Sequence, residues 1–588
     1  MVKKISVLAL AGLLALPAMA SAGAGGAAAT ADVQAQVDAL TKQLNALKAQ
    51  MADIKNAQDA KFEDFDAKSE KWDLASRIQF SGDFRARMDY VSADTPAHYT
   101  ALDVGQGFYN ALAVGGMLNA DKSINYANAQ ALAANMKTFT PAQRVTMFSG
   151  LGFNPTPAMD YNNDTIWTNR FRLDMRAKAL ENVEFKGRLA MYKAWGMQNN
   201  PEDNSNNGMG GGPFALSGYM SNFDGATTRT PSDSTLKVDR AFVNWNAIGG
   251  SPVWFSIGRR PTTDGPPANL KLGSDERMAT PSAVMDYAFD GISVGYAYNN
   301  LFGLADAPGR IRVCYGRGFE SGPQTDNLRT LNDVDFAGVS WDIYKKGNRF
   351  LYLQSFGAFN LFNVPDNVNF GNPLEYAAWV SDPGTPGTST YDPMDPSKDL
   401  KLGRANLGNI YHTSGVYMDK YQDLNYFLAG AWSRTQVDGQ MDEMGNSLLG
   451  SWWDTPENHS GYNVHAGVRY DINDRGLKLG AEYNHGSKYW ISMTPGHDDL
   501  YVSKLATRGN VYEVYGIYDI PGGEAISKYG KAWMRLGFQH YDYNYTGSGF
   551  WLGAPQKIDE LAMDPLSAQF YTPIDKMDQV YLTFEASF

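Results

Sequence analysis

One constellation in this sequence is dense enough in charge to do chemistry. Between residues 77 and 188, Arg77, Arg85, Arg87, Arg170, Arg172, Arg176, Lys178, Lys186 and Arg188 fall at even spacing within each segment. Asp83, Asp89, Asp174 and Glu184 share their parity, so nine cations stand against four anions. In extended chain every second side chain points to the same face. The pattern therefore describes a charged wall rather than a catalytic centre. Charged rings along an aqueous passage set its ion preference, so a modest anion preference is expected. A simpler role for the same residues is to keep the wall wet and pair across strands. Arg240, Arg260, Arg310 and Arg312 extend the basic set.

Other chemistry is sparse. Of seven histidines, His485 beside Ser487 and His497 beside Asp498 and Asp499 offer hydrolase-like groupings, neither with a distinctive motif. Cys314 stands alone, which excludes a disulfide framework and a thiolate metal cluster. Phosphate-binding glycine loops, haem-attachment motifs and calcium loops are absent from the sequence. No catalytic residue, metal or cofactor is expected, and an enzyme is not the reading. A net charge of −12 argues against nucleic acid.

The charged wall needs strands to hold it. In Ile78–Tyr90, Ile78, Phe80, Phe84, Ala86, Met88 and Tyr90 alternate with polar residues. Phe171, Leu173, Met175, Ala177 and Ala179 alternate with the second set of cations, and the same period recurs around 183–191, 462–471 and 531–539. Segments of about ten residues, apolar on one face and polar on the other, are the signature of a transmembrane β-barrel. Trp254 and Trp533 could stack sugars, although packing roles serve as well. Tyr90, Trp167, Trp195, Trp245, Tyr470, Trp490 and Tyr545 stand near strand ends, as interfacial girdles do. Outside residues 5–20 no apolar run reaches the length of a spanning helix.

The alternation predicts an all-β, antiparallel transmembrane barrel over 76–588, of about 16 strands with 14 to 18 allowed. The predicted strands are 77–90, 168–179, 183–195, 236–247, 252–260, 284–299, 310–319, 333–345, 349–361, 404–418, 421–436, 461–472, 476–490, 510–520, 531–545 and 578–588. Strands 6, 9 and 10 are poorly patterned. Long and short links alternate, with Asp419-Lys420 among the short turns and 91–167 the longest outer loop. Thr140-Pro141-Ala142-Gln143 reads as a capping box with proline at the first helical position. Asn125–Met136 is also helix-compatible. The loop should therefore carry helices that cap the pore or constrict it. Acidic outer loops, such as 437–460, account for the negative net charge.

Upstream, 1–22 reads as a signal peptide: Lys3 and Lys4, an apolar stretch, and Ala20-Ser21-Ala22. Residues 23–75 read as a linker followed by a coiled-coil stalk. Val37, Leu40, Leu44, Leu47, Met51 and Ile54 follow alternating steps of four and three, a seam that calls for partner helices. Two and three strands are equally compatible, and a helix docked on its own domain is the alternative.

The last segment, Asp578–Phe588, ends in phenylalanine with apolar residues, Phe584 among them, at alternate positions. It resembles the closing strand of bacterial outer-membrane barrels. Val253–Arg260, after the turn 247–251, is similar to a porin strand that runs into a long loop. The layout of signal, coiled coil and barrel resembles porins with a periplasmic coiled coil, the sucrose-type porins among them, and an uncharacterised family of proteobacterial porins. The resemblance implies a homotrimeric channel in the bacterial outer membrane with its N-terminal stalk in the periplasm. It implies contact with the lipid bilayer, and Phe588 and Phe584 as a signal for the barrel-assembly machinery; the carboxylates of the acidic outer loops could bridge through divalent cations to lipopolysaccharide, or simply be solvated. Small hydrophilic solutes would diffuse passively past Arg85, Arg87, Arg170, Arg172, Arg176, Lys178, Lys186, Arg188, Asp83 and Asp174. Alternatives are a barrel anchoring a periplasmic tether, and a sheath around an electron-transfer cytochrome.

Overall fold

A computed structural model describes residues 77–588 except for loop stretches, chiefly 119–125, 197–230, 261–264, 273–284, 301–305, 321–331, 363–405 and 441–446. Residue 232 and shorter stretches at 286–288, 452–454, 495–497, 501–502, 523–529 and 570–571 are likewise outside it. Residues 1–76 form a separate unit, of which part of one helix between 35 and 51 is described. Val37, Leu44 and Met51 are exposed on that helix. The signal peptide and the seam positions Leu40, Leu47 and Ile54 lie outside the described residues.

Sixteen antiparallel strands close into one barrel, each paired with its sequence neighbours and the first with the last. They are β1 (Ile78–Thr95), β2 (Met159–Leu180), β3 (Val183–Ala194), β4 (Lys237–Trp245), β5 (Val253–Arg260), β6 (Phe289–Tyr298), β7 (Gly309–Phe319) and β8 (Val334–Lys346). Then follow β9 (Arg349–Phe362), β10 (Asn406–Tyr421), β11 (Leu424–Gln436), β12 (Ser460–Ile472), β13 (Leu477–Gly486), β14 (Gly509–Ile520), β15 (Lys531–Tyr543) and β16 (Lys576–Ser587). Closure leaves no sheet edge, as hydrocarbon requires. Outward positions are apolar: Phe80, Phe84, Val294, Val313, Leu428, Val514, Leu536 and Val580 are all exposed. At the seam, Phe584 pairs with Ala86, and Gly82 and Phe588 exchange both backbone hydrogen bonds at 2.9 Å. Glycine is required at 82: a Cβ there would lie 2.7 Å from the Phe588 ring and 2.6 Å from the Arg172 carbonyl.

Three expectations need correction. β1 and β2 stay paired up to Thr95 and Met159, so the first outer loop is 96–158 rather than 91–167. Its polar run Asn162-Asn163-Asp164 looks like a loop but belongs to an exposed extension of the hairpin. The β10–β11 turn is Gln422-Asp423, not Asp419-Lys420. Asp419 and Lys420 remain in the ladder opposite Tyr426 and Asn425, and their side chains pair with Arg349 of β9 at 2.7 Å and Asp471 of β12 at 2.9 Å. Trp490 is no girdle residue. β13 ends at Gly486, and Trp490 turns inward, 1% exposed, donating to the Leu505 carbonyl at 2.7 Å.

The first outer loop forms a small helical cap: α1 (Ala101–Val114), α2 (Tyr126–Thr138) and α3 (Pro141–Gly150). Thr140 and Gln143 make the expected reciprocal capping box. Tyr99, Phe108, Leu112, Met136 and Phe148 form the cap's core, with Leu566 and Ala568 of the last outer loop packed against it.

Candidate functional site

The lumen has two unlike halves. One is charged and runs across β12–β16 and β1–β4. The other, on β9–β11, is richer in apolar groups: Phe350, Tyr352, Phe356, Ile410, Val416, Met418, Phe427 and Ala429 point inward and are buried. Gln354, His412, Ser414, Asn425, Ser433 and Thr435 are buried on the same inward face, so apolar and uncharged polar residues mix there, which is why the alternation of these strands is weak in the sequence. What covers them is loop. Val334, Phe336, Phe356 and Ile410 pack with Leu448 and Leu449 of the sixth outer loop, Ile491 and Met493 of the seventh, and Trp551 of the eighth.

Two loops reach the charged half. After β5, the single turn α4 (Ala268–Lys271) sits inside the barrel, with Leu270 packed on Phe350, Val416 and Phe427. Arg469 donates to the Leu270 carbonyl at 2.9 Å and Arg535 to the Lys271 carbonyl at 2.6 Å. Lys271 meets Glu513 at 2.9 Å and Asp499 at 3.4 Å. After β13, the seventh outer loop brings in Asp498, Asp499 and Lys504. Lys504 is buried between Glu482 and Glu513, the latter at 2.5 Å. Burial disfavours its charge, but Glu482, Glu513 and Asp499 outweigh burial and hold the ammonium above its ordinary pKa. Lys271 goes the other way: burial outweighs Glu513 and lowers it.

The predicted basic wall is brought together on β1–β3. Arg85, Arg87, Arg170, Arg172 and Arg188 are buried there, whereas Arg176 and Lys178 are exposed and Lys186 is half-exposed. Each of several cations has a carboxylate. Arg172 meets Asp83 at 2.7 Å, and Arg170 meets Asp83 at 3.2 Å and Glu585 at 2.9 Å. Arg188 meets Asp174 at 2.8 Å, and Glu184 takes Arg176 at 2.6 Å and Lys186 at 2.8 Å. Arg87 chelates Asp89. The acids supplied by β16 and the seventh loop therefore moderate the excess of cations seen on the first three strands.

Sequence reasoning missed Asp498 as a member of this wall. Its carboxylate receives Arg85, Arg170 at 3.4 Å and Arg535 at 3.0 Å, and its carbonyl accepts from Arg87 at 2.7 Å. The hydrolase groupings do not form among the described residues. His485 pairs with Asn510 at 3.0 Å, while the Ser487 hydroxyl accepts from the Tyr462 amide at 2.8 Å. His497 lies outside the described residues. Trp254 and Trp533 face inward, each with an arginine over its ring, Arg260 and Arg535.

The fold and its polar interior define a sixteen-stranded transmembrane β-barrel. Residues 160–588 match the family described as "Protein of unknown function (DUF3373)", and the chain belongs to that family. No curated protein matches the chain. Among solved structures it is similar to OmpT, an outer membrane protein of Vibrio cholerae in trimer form, at 10% identity over 87% of this chain and 99% of that one, TM-score 0.34. OprB of Pseudomonas putida is similar at 10% identity over 89% of this chain and 97% of that one, TM-score 0.36. An anion-selective porin from Comamonas acidovorans is similar at 9% identity over 87% of this chain and 99% of that one, TM-score 0.33.

Proposed function

We propose that the protein is an outer-membrane channel through which ions and small hydrophilic solutes diffuse passively. The observation that carries this reading is the charged, hydrogen-bonded inner face of a barrel whose outer face is apolar. A polar lumen of this kind is what a water-filled passage needs. Inward loops carrying Lys271, Asp498 and Asp499 narrow that passage. They also fill space that a cytochrome within the barrel would need, which favours solute passage over the sheath reading.

The finer parts of the reading follow from the sequence. Residues 1–22 direct export, the stalk stands in the periplasm, and its seam joins partner chains, three of them in the porin layout that the sequence resembles. Phe588 and Phe584 guide assembly, and the outer rim meets lipopolysaccharide. A modest anion preference rests on Arg85, Arg87, Arg170, Arg172 and Arg188, moderated by the carboxylates that pair with them. Planar-bilayer recording of the purified protein tests the reading. Discrete channels with a reversal potential of anion-preferring sign are expected in a salt gradient. Channels selective for cations would overturn the preference, and a bilayer that stays closed would overturn the channel.

A further inference from the structure

Asp498 is held in an unusual way for a loop residue. Four arginines from three strands converge on it: Arg85 and Arg87 of β1, Arg170 of β2 and Arg535 of β15. Arg85 and Arg535 are fully buried, and Asp498 is the carboxylate each of them meets as an ion pair among the described residues. The other nearby acids are committed elsewhere. Asp83 and Glu585 serve Arg170 and Arg172, Asp89 serves Arg87 and Gln579, and Asp499 serves Lys271, Gln539 and the Lys504 amide.

The guanidiniums are nevertheless undersupplied. Arg85 Nε and Nη2, Arg170 Nε and Arg535 Nε are buried with no hydrogen-bond partner among the described residues. Leaving such donors unmet is costly, and most at charged groups. One aspartate cannot satisfy them, because its short side chain brings two oxygens from one side. Asp498 also sits at φ +68, the left-handed region that suits glycine better. Its side chain is 13% exposed, so solvent reaches the site from one side.

We propose that Arg85, Arg87, Arg170 and Arg535 form a binding site for small carboxylate solutes, which the protein's own Asp498 occupies when no solute is present. Planar guanidinium forks match carboxylates in a bidentate manner. A dicarboxylate brings more acceptor oxygens than Asp498 does and reaches donors that Asp498 leaves unmet. Entry of the solute displaces Asp498, so the seventh loop competes with the ligand for the same charge. This inference rests on the channel reading for its physiological setting, but binding itself does not require conduction.

The test is calorimetric titration of the full chain in detergent with succinate, with neutral succinamide as control. Asp498→Asn removes the competing charge, and Asp498→Gly also relieves the left-handed backbone, so the second variant serves if the first folds poorly. Either variant is expected to bind succinate at least tenfold more tightly than the unmodified protein, with succinamide unaffected. Adding Arg85→Gln to that variant should abolish the gain. Succinate affinity unchanged within twofold on loss of Asp498, or a gain that survives Arg85→Gln, would overturn the proposal. Bilayer recording of the same preparations separates the two readings. Conducting channels without the affinity gain leave the channel standing and remove the site, whereas the gain in a non-conducting barrel does the reverse.

Discussion

Arg144 gives a sharp handle on the helical cap. It stands in α3 and reaches into the last outer loop, where Nε meets Asp564 Oδ1 at 2.8 Å and Nη2 meets Oδ2 at 2.5 Å. Its Nη1 donates to the carbonyls of Met136, at 3.0 Å, and Phe139. Arg144→Met keeps the aliphatic stem and removes all four bonds. Charge-assisted bonds contribute about 1.5–3 kcal/mol each when buried. The loss is smaller here because Asp564 is 20% exposed and keeps the Leu566 amide as a donor at 3.0 Å. A loss of about 3 kcal/mol in the cap's attachment is the result, or about 10²-fold in the open population at ~1.4 kcal/mol per decade. Limited proteolysis of the folded protein reads that population when opening is fast relative to cleavage. Cleavage between residues 96 and 158 should accelerate about 10²-fold, while the strands stay intact. Asp564→Asn should accelerate it less, and the double variant should fall short of additivity. Cleavage of Arg144→Met within threefold of the unmodified rate would refute the reasoning.

Gly82→Val forces a side chain onto Phe588 and the Arg172 carbonyl; the seam should fail to close, and heat-modifiable folded barrel on a semi-native gel should drop sharply. Lys504→Met strips Glu482 and Glu513 of their shared ammonium; Glu482 keeps His465 and Glu513 keeps Lys271, so a cost of about 3 kcal/mol is expected in denaturant unfolding. A change under 1 kcal/mol would show the cluster to be solvated. His459 stacks on Tyr489 with ring centroids 4.0 Å apart. Burial, with Lys488 assisting and Glu457 opposing, lowers its pKa. The folded form thus binds a proton less well than the unfolded one. The stack should be at full strength above the ordinary histidine value of about 6.5 and weaken as pH falls below it. Amide exchange around 459–462 and 487–490, corrected for intrinsic rates, should rise between pH 7.5 and 5.

The sixteen strands were legible because lipid on one side and charge on the other impose a period of two. Ile78–Tyr90 carries that period with Gly82 alone out of pattern, and Val580–Phe588 with Tyr581 alone. It fades at β9 and β10, where Phe350, Tyr352, Ile410 and Val416 face loops instead of water and so lose the polar half of the pattern. Loop positions were opaque for a related reason. Nothing in the spacing around Asp498 or Leu270 announces an inward fold, since a loop repeats no contact from one turn to the next. The cations of the wall could be read from β1–β3, but the aspartate that completes it lies 413 residues from Arg85. In the sequence Asp498 stands out only as a neighbour of His497, a partnership that says nothing about space. The capping box at Thr140 was readable because its physics is local.

The grip on Asp498 also bears on how the barrel comes to be. Arg85 and Arg170 lie on β1 and β2, Arg535 on β15, and between them runs the β1–β16 seam. Bringing the first and last strands together is the longest loop closure in the chain, and its entropy must be met before any contact across it helps. The aspartate fastens both margins from the inside, like a stitch across a zipped edge. It can engage fully only once the margins meet. The contacts of Asp498 to both margins are therefore complete only when the cylinder is shut.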